Sequence, residues 1–235
     1  MIDTDTEQEI ALEYEQDSRF KKRQYNAIIL AGIGIALLFS PVIDTLTFLR
    51  NLLPLWRLLI STAVTWITLP VLYQYAVKVE GRPFLLWQEQ RRNVLFFIVS
   101  LISLFFMAFC AQFISLIPFR LGFHDDYKVM HYWHAIIKQN KLVVFFICIS
   151  AGTTEELLMR GYILPRLTLL FKSAYLPVLL SALIFSLLHL GYGNLSECIF
   201  TFLFGLFCAV YYMKYQNISV LIVFHFLFDL LALTR

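Results

Sequence analysis

Residues 93–118 read NVLFFIVSLISLFFMAFCAQFISLIP, a run without one charged side chain. About 20 apolar residues suffice for a helix to cross the hydrocarbon of a bilayer. A helix on the surface of a soluble protein would carry a polar face, and this stretch has none. Comparable stretches lie at 25–49, 56–77, 141–164, 175–192, 195–213 and 217–234. The expectation is an all-α polytopic membrane protein: a bundle of 7–8 transmembrane helices around an intramembrane polar site. Seven spans are counted, and an eighth arises if 119–140 or 161–174 crosses. The segment 175–192 is short, and 161–174 before it has the mixed composition of an interfacial stretch.

Composition agrees. The 235-residue chain is 60% apolar and 15% charged, against about 45–50% and about 25% for soluble domains. A net charge of +3, scattered along the chain, excludes a nucleic-acid partner. The organisation expected is a charged N-terminal tail (1–24), N-terminal transmembrane helices and loops (25–140) and a catalytic core (141–235). The tail opens with seven acids in its first seventeen residues, the wrong polarity for a cleaved signal peptide. Lys and Arg divide twelve to seven in favour of a cytoplasmic N-terminus, by the positive-inside rule. A bacterial inner membrane is the expected location. Cys110, Cys148, Cys198 and Cys208 all fall within spans without CxxC spacing, as small apolar residues do.

Charged side chains in the bilayer core cost at least about 2.5–3.5 kcal/mol each, so those inside spans ask for a reason. Three clusters stand out: Glu155–Glu156 with Arg160, Phe185 with His189, and His225 with Asp229. Each uses a four-residue offset, which puts its members on one helical face. Glu156 and Arg160 form an i,i+4 pair that can neutralise itself. Glu155 lies about 100° around the helix and keeps capacity for acid–base work. Two imidazoles on two further helices suit proton movement at neutral pH. Phe185 can wall His189, and Asp229 can orient His225 through a hydrogen bond. These groups are satisfied together if they face one another in a wet pocket. His124, His131 and His134, with Asp125 and Asp126, are read as a solvated loop; Asp44 and Glu197, near span ends, reach the headgroups.

The ordered trio Glu155-Glu156-x-x-x-Arg160, Phe185-x-x-x-His189 and His225-x-x-x-Asp229 resembles the three motifs of the CAAX protease and bacteriocin-processing (CPBP/Abi) family, which includes the type II CAAX prenyl endopeptidases. The run Met159–Leu167 resembles that family's continuation past the Arg. The resemblance covers about 141–235 and implies a helical bundle of about eight membrane segments with a water-accessible intramembrane site. It implies an endopeptidase in which Glu155 activates water, His189 helps hold that water, and His225 and Asp229 lie where the family stabilises the oxyanion. Glu156, Arg160 and Phe185 would support the site. Asp229 departs from the Asn favoured by the CAAX endopeptidases: an ionised carboxylate cannot donate to an oxyanion, so orientation of a cationic His225 is its expected role.

The expected partners are the lipid bilayer and a membrane-associated peptide or protein, cut near an end because a mid-membrane helix must first be unwound. No cofactor is expected. A zinc ion on Glu155, His189 and His225 is the lesser alternative, since HExxH spacing is absent. A non-catalytic membrane scaffold or regulator of the same fold is the alternative function. One geometric tension remains: His189, near the far end of 175–192, falls too deep to meet Glu155 on a strict residue count.

Overall fold

The computed structural model describes residues 21–38, 53–90, 92–171, 173 and 175–234. The acidic tail, Asp44 and the outer half of the first expected span lie outside the described residues. Among the latter the regular structure is all helical. Helix α1 covers 21–38 and α2 runs Pro54–Tyr75, continuing into a π turn at Ala76–Glu80. Then come α3 (Val94–Ser115), the short α4 (Ile117–Arg120) and α5 (Lys128–Ile137). Next, α6 (Lys141–Glu156) passes through a π segment, Leu157–Ile163, into α7 (Leu164–Phe171). The chain ends with α8 (Tyr175–Leu188), α9 (Leu195–Tyr215) and α10 (Ile218–Thr234).

Starts are set by residues that satisfy orphan amides. Pro54 opens α2, where a missing N–H costs nothing. Asn93, Asn140, Asn194 and Asn217 accept through Oδ1 from Phe96 N (2.9 Å), Leu142 N (2.9 Å), Glu197 N (2.6 Å) and Val220 N (3.0 Å).

Among the described residues, four helices are long and apolar enough to cross a membrane: Pro54–Glu80, Val94–Arg120, Lys141–Phe171 and Leu195–Tyr215. Two shorter apolar helices, Tyr175–Leu188 and Ile218–Thr234, accompany them. On α3 the buried positions are mostly small (Ser100, Ala108, Ala111, Ser115), while Ile102, Phe106 and Phe109 are exposed. Small residues inward and large ones outward are how helices pack in lipid. The stretch 119–140 provides no further crossing, because α5 at ten residues spans only about 15 Å.

The expected interfacial stretch 161–174 is corrected. Through Phe171 it continues the α6 helix, with Leu164, Pro165, Arg166 and Leu167 buried. This removes the depth tension at His189. Fifteen residues separate the end of α6 from the turn after α7, and the fourteen-residue α8 climbs back beside them. His189, just past the end of α8, returns to the level of Glu155 and Glu156.

Candidate active site

The site begins with close helix contact. A Cβ on Gly152 would stand 2.7 Å from Phe226 N and 3.1 Å from Ile222 O, so only glycine lets α6 touch the backbone of α10 here. One turn later on that face is Glu156, its side chain fully buried. Its Oε1 accepts from Arg160 Nη1 at 3.0 Å and faces His225 Nδ1 at 2.9 Å. A carboxylate partner makes Nδ1 the donor of that ring.

Arg160 is held on three sides. Besides Glu156, its Nη2 donates to Gly205 O at 3.3 Å, and its guanidinium lies 4.7 Å from the centroid of the Phe185 ring. Gly205 permits this, since a Cβ there would come 3.2 Å from Ala182 Cα and 3.3 Å from Phe185 Cδ1. Phe185 and Phe204 also wall His225, at centroid separations of 6.3 and 4.9 Å.

The other ring nitrogen, His225 Nε2, faces two carboxylates: Asp229 Oδ2 at 3.6 Å and Glu155 Oε2 at 3.9 Å. Glu155 is the more open of the site's two glutamates, with 36% of its side chain exposed against none for Glu156. His189 packs on Phe185 at 4.6 Å between centroids. Its Nδ1 lies 2.8 Å from Phe185 O; a carbonyl only accepts, so Nδ1 carries a proton, and in the neutral ring Nε2 holds the lone pair. Electrostatic coupling links His189 to Asp229 and to Glu197.

The three sequence clusters therefore meet on α6, the α8 end and α10, with one correction. The hydrogen bond that orients His225 comes from Glu156, which reaches beyond its intrahelical partner; Asp229 stands outside hydrogen-bond range of Nε2. Glu197 sits in the first turn of α9, at a span end as expected. Among the described residues no three His, Cys, Asp or Glu side chains gather as a metal-binding group, the set Glu155, His189 and His225 included.

The loop before α5 is also more than solvated chain. Asp125 accepts from Leu195 N at 2.6 Å, from Ser196 N at 3.3 Å and from the Ser196 hydroxyl, fastening the loop to the start of α9. Desolvation pushes the Asp125 carboxyl up, but the Ser196 hydroxyl and the Leu195 amide outweigh it and hold the group below the usual carboxylate range. His134, on α5, lies 3.3 Å from Leu233 O at the end of α10.

Residues 138–231 match the family described as type II CAAX prenyl endopeptidase Rce1-like. The match spans every residue of the three clusters and places this region with the CAAX protease-like endopeptidases. With the long apolar helices, it describes an integral membrane protein whose C-terminal region is similar to that endopeptidase family. Neither curated proteins nor solved structures provide a match to the chain.

Proposed function

We propose that this protein is an intramembrane endopeptidase that hydrolyses a peptide bond in a membrane-associated protein or peptide, using water activated by Glu155. The observation that carries this reading is the asymmetric setting of His225: Nδ1 fixed by Glu156, Nε2 turned towards Glu155 and Asp229. A buried ion pair serving only as glue has no need of a second, open carboxylate beside it.

In the reaction, Glu155 takes a proton from water, assisted by the lone pair on His189 Nε2, and the hydroxide attacks the scissile carbonyl. The oxyanion meets His225 Nε2. Because Nδ1 donates to Glu156, donation at Nε2 requires the doubly protonated ring, and Glu156, Glu155 and Asp229 surround that ring with acceptors. A preorganised donor of this kind is worth about 3–4 kcal/mol of barrier. Asp229 balances the imidazolium and donates nothing itself. The proton held by Glu155 then passes to the leaving amine. Glu156, Arg160 and Phe185 hold the imidazoles in place. The reaction as drawn needs no metal. The substrate enters by a terminus or juxtamembrane segment, where backbone hydrogen bonds are already open. The Lys/Arg distribution supports a cytoplasmic N-terminus, and a bacterial inner membrane is the proposed location.

The test compares protein termini in membranes from cells carrying the native chain or Glu155→Gln at matched levels. Cleaved ends present only with the native chain are the expected result and name the substrate. Identical termini with a folded variant would leave a non-catalytic scaffold of the same fold.

A further inference from the structure

A second buried ion pair lies outside the three clusters. Glu80 ends the π turn after α2, and Arg166 stands two residues into α7. Both side chains are fully buried. Arg166 Nε donates to Glu80 Oε1 and Oε2 at 3.1 and 2.9 Å, and Nη2 to Oε2 at 2.6 Å. Its remaining donors reach Phe84 O (3.0 Å), Tyr162 O and Pro83 O (both 3.3 Å). The Tyr162 hydroxyl donates to Glu80 Oε1 at 2.6 Å, and the Tyr162 ring lies 3.6 Å under the guanidinium. The cluster is packed on its outer side as well. A Cβ on Gly32 of α1 would collide with the Tyr162 hydroxyl and stand 2.7 Å from Glu80 Oε1.

What this cluster grips is the π segment Leu157–Ile163. A π turn carries one residue more than the α-helix it interrupts, and such turns are rare and concentrated at functional sites. Relaxation to α register would rotate everything beyond it by about 100° relative to Glu155 and Glu156. Arg160 lies inside the segment, where it reaches Glu156, Gly205 O and the Phe185 ring together. Glu156 secures the segment from its N-terminal side. Glu80 secures it from beyond, through Tyr162 and Arg166.

We infer that Glu80 is a positioning residue for the candidate active site: through Tyr162 and Arg166 it locks the π register of 157–163 and so sets Arg160 against Glu156, the carboxylate that also holds His225. The inference rests on the proposed peptidase reading for its catalytic consequence and on geometry alone for the register. It assigns part of the site's construction to a residue in the N-terminal half, outside the region that matches the endopeptidase family.

The test replaces the pair by apolar residues of similar volume, Glu80→Leu with Arg166→Met, since well-packed replacements of buried ion pairs often keep or raise stability. Thermal unfolding in detergent, hydrogen exchange of the 157–163 amides, and the rate of Glu155-dependent cleavage are measured on the full chain. The expected result is a folded variant whose 157–163 amides exchange at least tenfold faster and whose kcat falls at least tenfold at unchanged KM. Glue alone predicts native exchange and native kcat, and that result overturns the inference. Tyr162→Phe, which removes a single hydroxyl, decides the matter if the double variant does not fold: faster exchange confined to 157–163 supports the lock, and native exchange overturns it. If the native chain releases no Glu155-dependent ends, the peptidase reading fails while the exchange arm still judges the lock.

Discussion

Glu155 and Glu156 are neighbours in sequence and opposites in setting, and substitution separates them. On the proposed mechanism Glu155→Gln is expected to abolish cleavage, and because Glu155 is partly exposed it should change stability by no more than about 0.5 kcal/mol, the usual range for open positions. Glu156→Gln leaves the buried Arg160 without its counter-charge, and breaking a buried pair costs about 3–5 kcal/mol. Chemical unfolding of the two variants beside their cleavage rates tests both statements. The pairing of Glu156 with Arg160 was legible from the four-residue offset. Its second bond, to His225, was not, because helical spacing carries no information about contacts between helices. Glu80 and Arg166 were invisible for the same reason: each sits near a helix end, where a charge ordinarily reaches water, and only the fold buries them against each other.

At the scale of elements, close approach decides the placement of groups. Gly152→Val drives two methyl groups into the α10 backbone; a cost of about 1–3 kcal/mol and at least a tenfold loss of cleavage are expected, measured by unfolding and terminus release. The fastening of α9 by Asp125 gives a pH signature. A carboxyl held below its unfolded value, near 3.9, adds stability that is fully present above that value and lost as pH falls through the lower folded one. Amides of Leu195 and Ser196 therefore stay protected at pH 5 and lose protection only below about pH 4. Asp125→Ala exposes them at every pH, with hydrogen exchange about fivefold faster for a cap of about 1 kcal/mol. The spans around α2, α3, α6, α9 and α10 were legible as apolar runs, whereas the four Asn caps emerge only from the structure. The continuation of α6 through 171 was hidden. Arg166 and Lys172 lend that stretch an interfacial composition, although Arg166 satisfies its charge inside the bundle.

In the whole molecule, the N-terminal half is part of the machine that the C-terminal half names. Beyond the Glu80 contact, Gly81 turns the chain at φ +66° into a strap that crosses to the far helices. On this strap Trp87 packs against Tyr212 at 5.2 Å, Gln90 O accepts from Asn217 Nδ2 at 2.9 Å, and Glu89 accepts from Ile218 N at 2.9 Å and Ser219 N at 3.2 Å. Residues 138–235 expressed alone are accordingly expected to give no thermally stable species, and co-expression with 1–137 to restore one, as read by unfolding in detergent. A final consequence belongs to α8. At fourteen residues it is about 21 Å long, shorter than the roughly 30 Å of hydrocarbon around it. The turn that follows, with His189 at its head, leaves backbone groups that lipid tails cannot solvate. Where α8 stands in that hydrocarbon, the expectation is that lipid thins beside it or a column of water descends to it. Either way, acyl-chain length becomes a control on the chemistry: in vesicles of progressively longer lipids the turn sinks away from water, and turnover slows while the bundle stays folded.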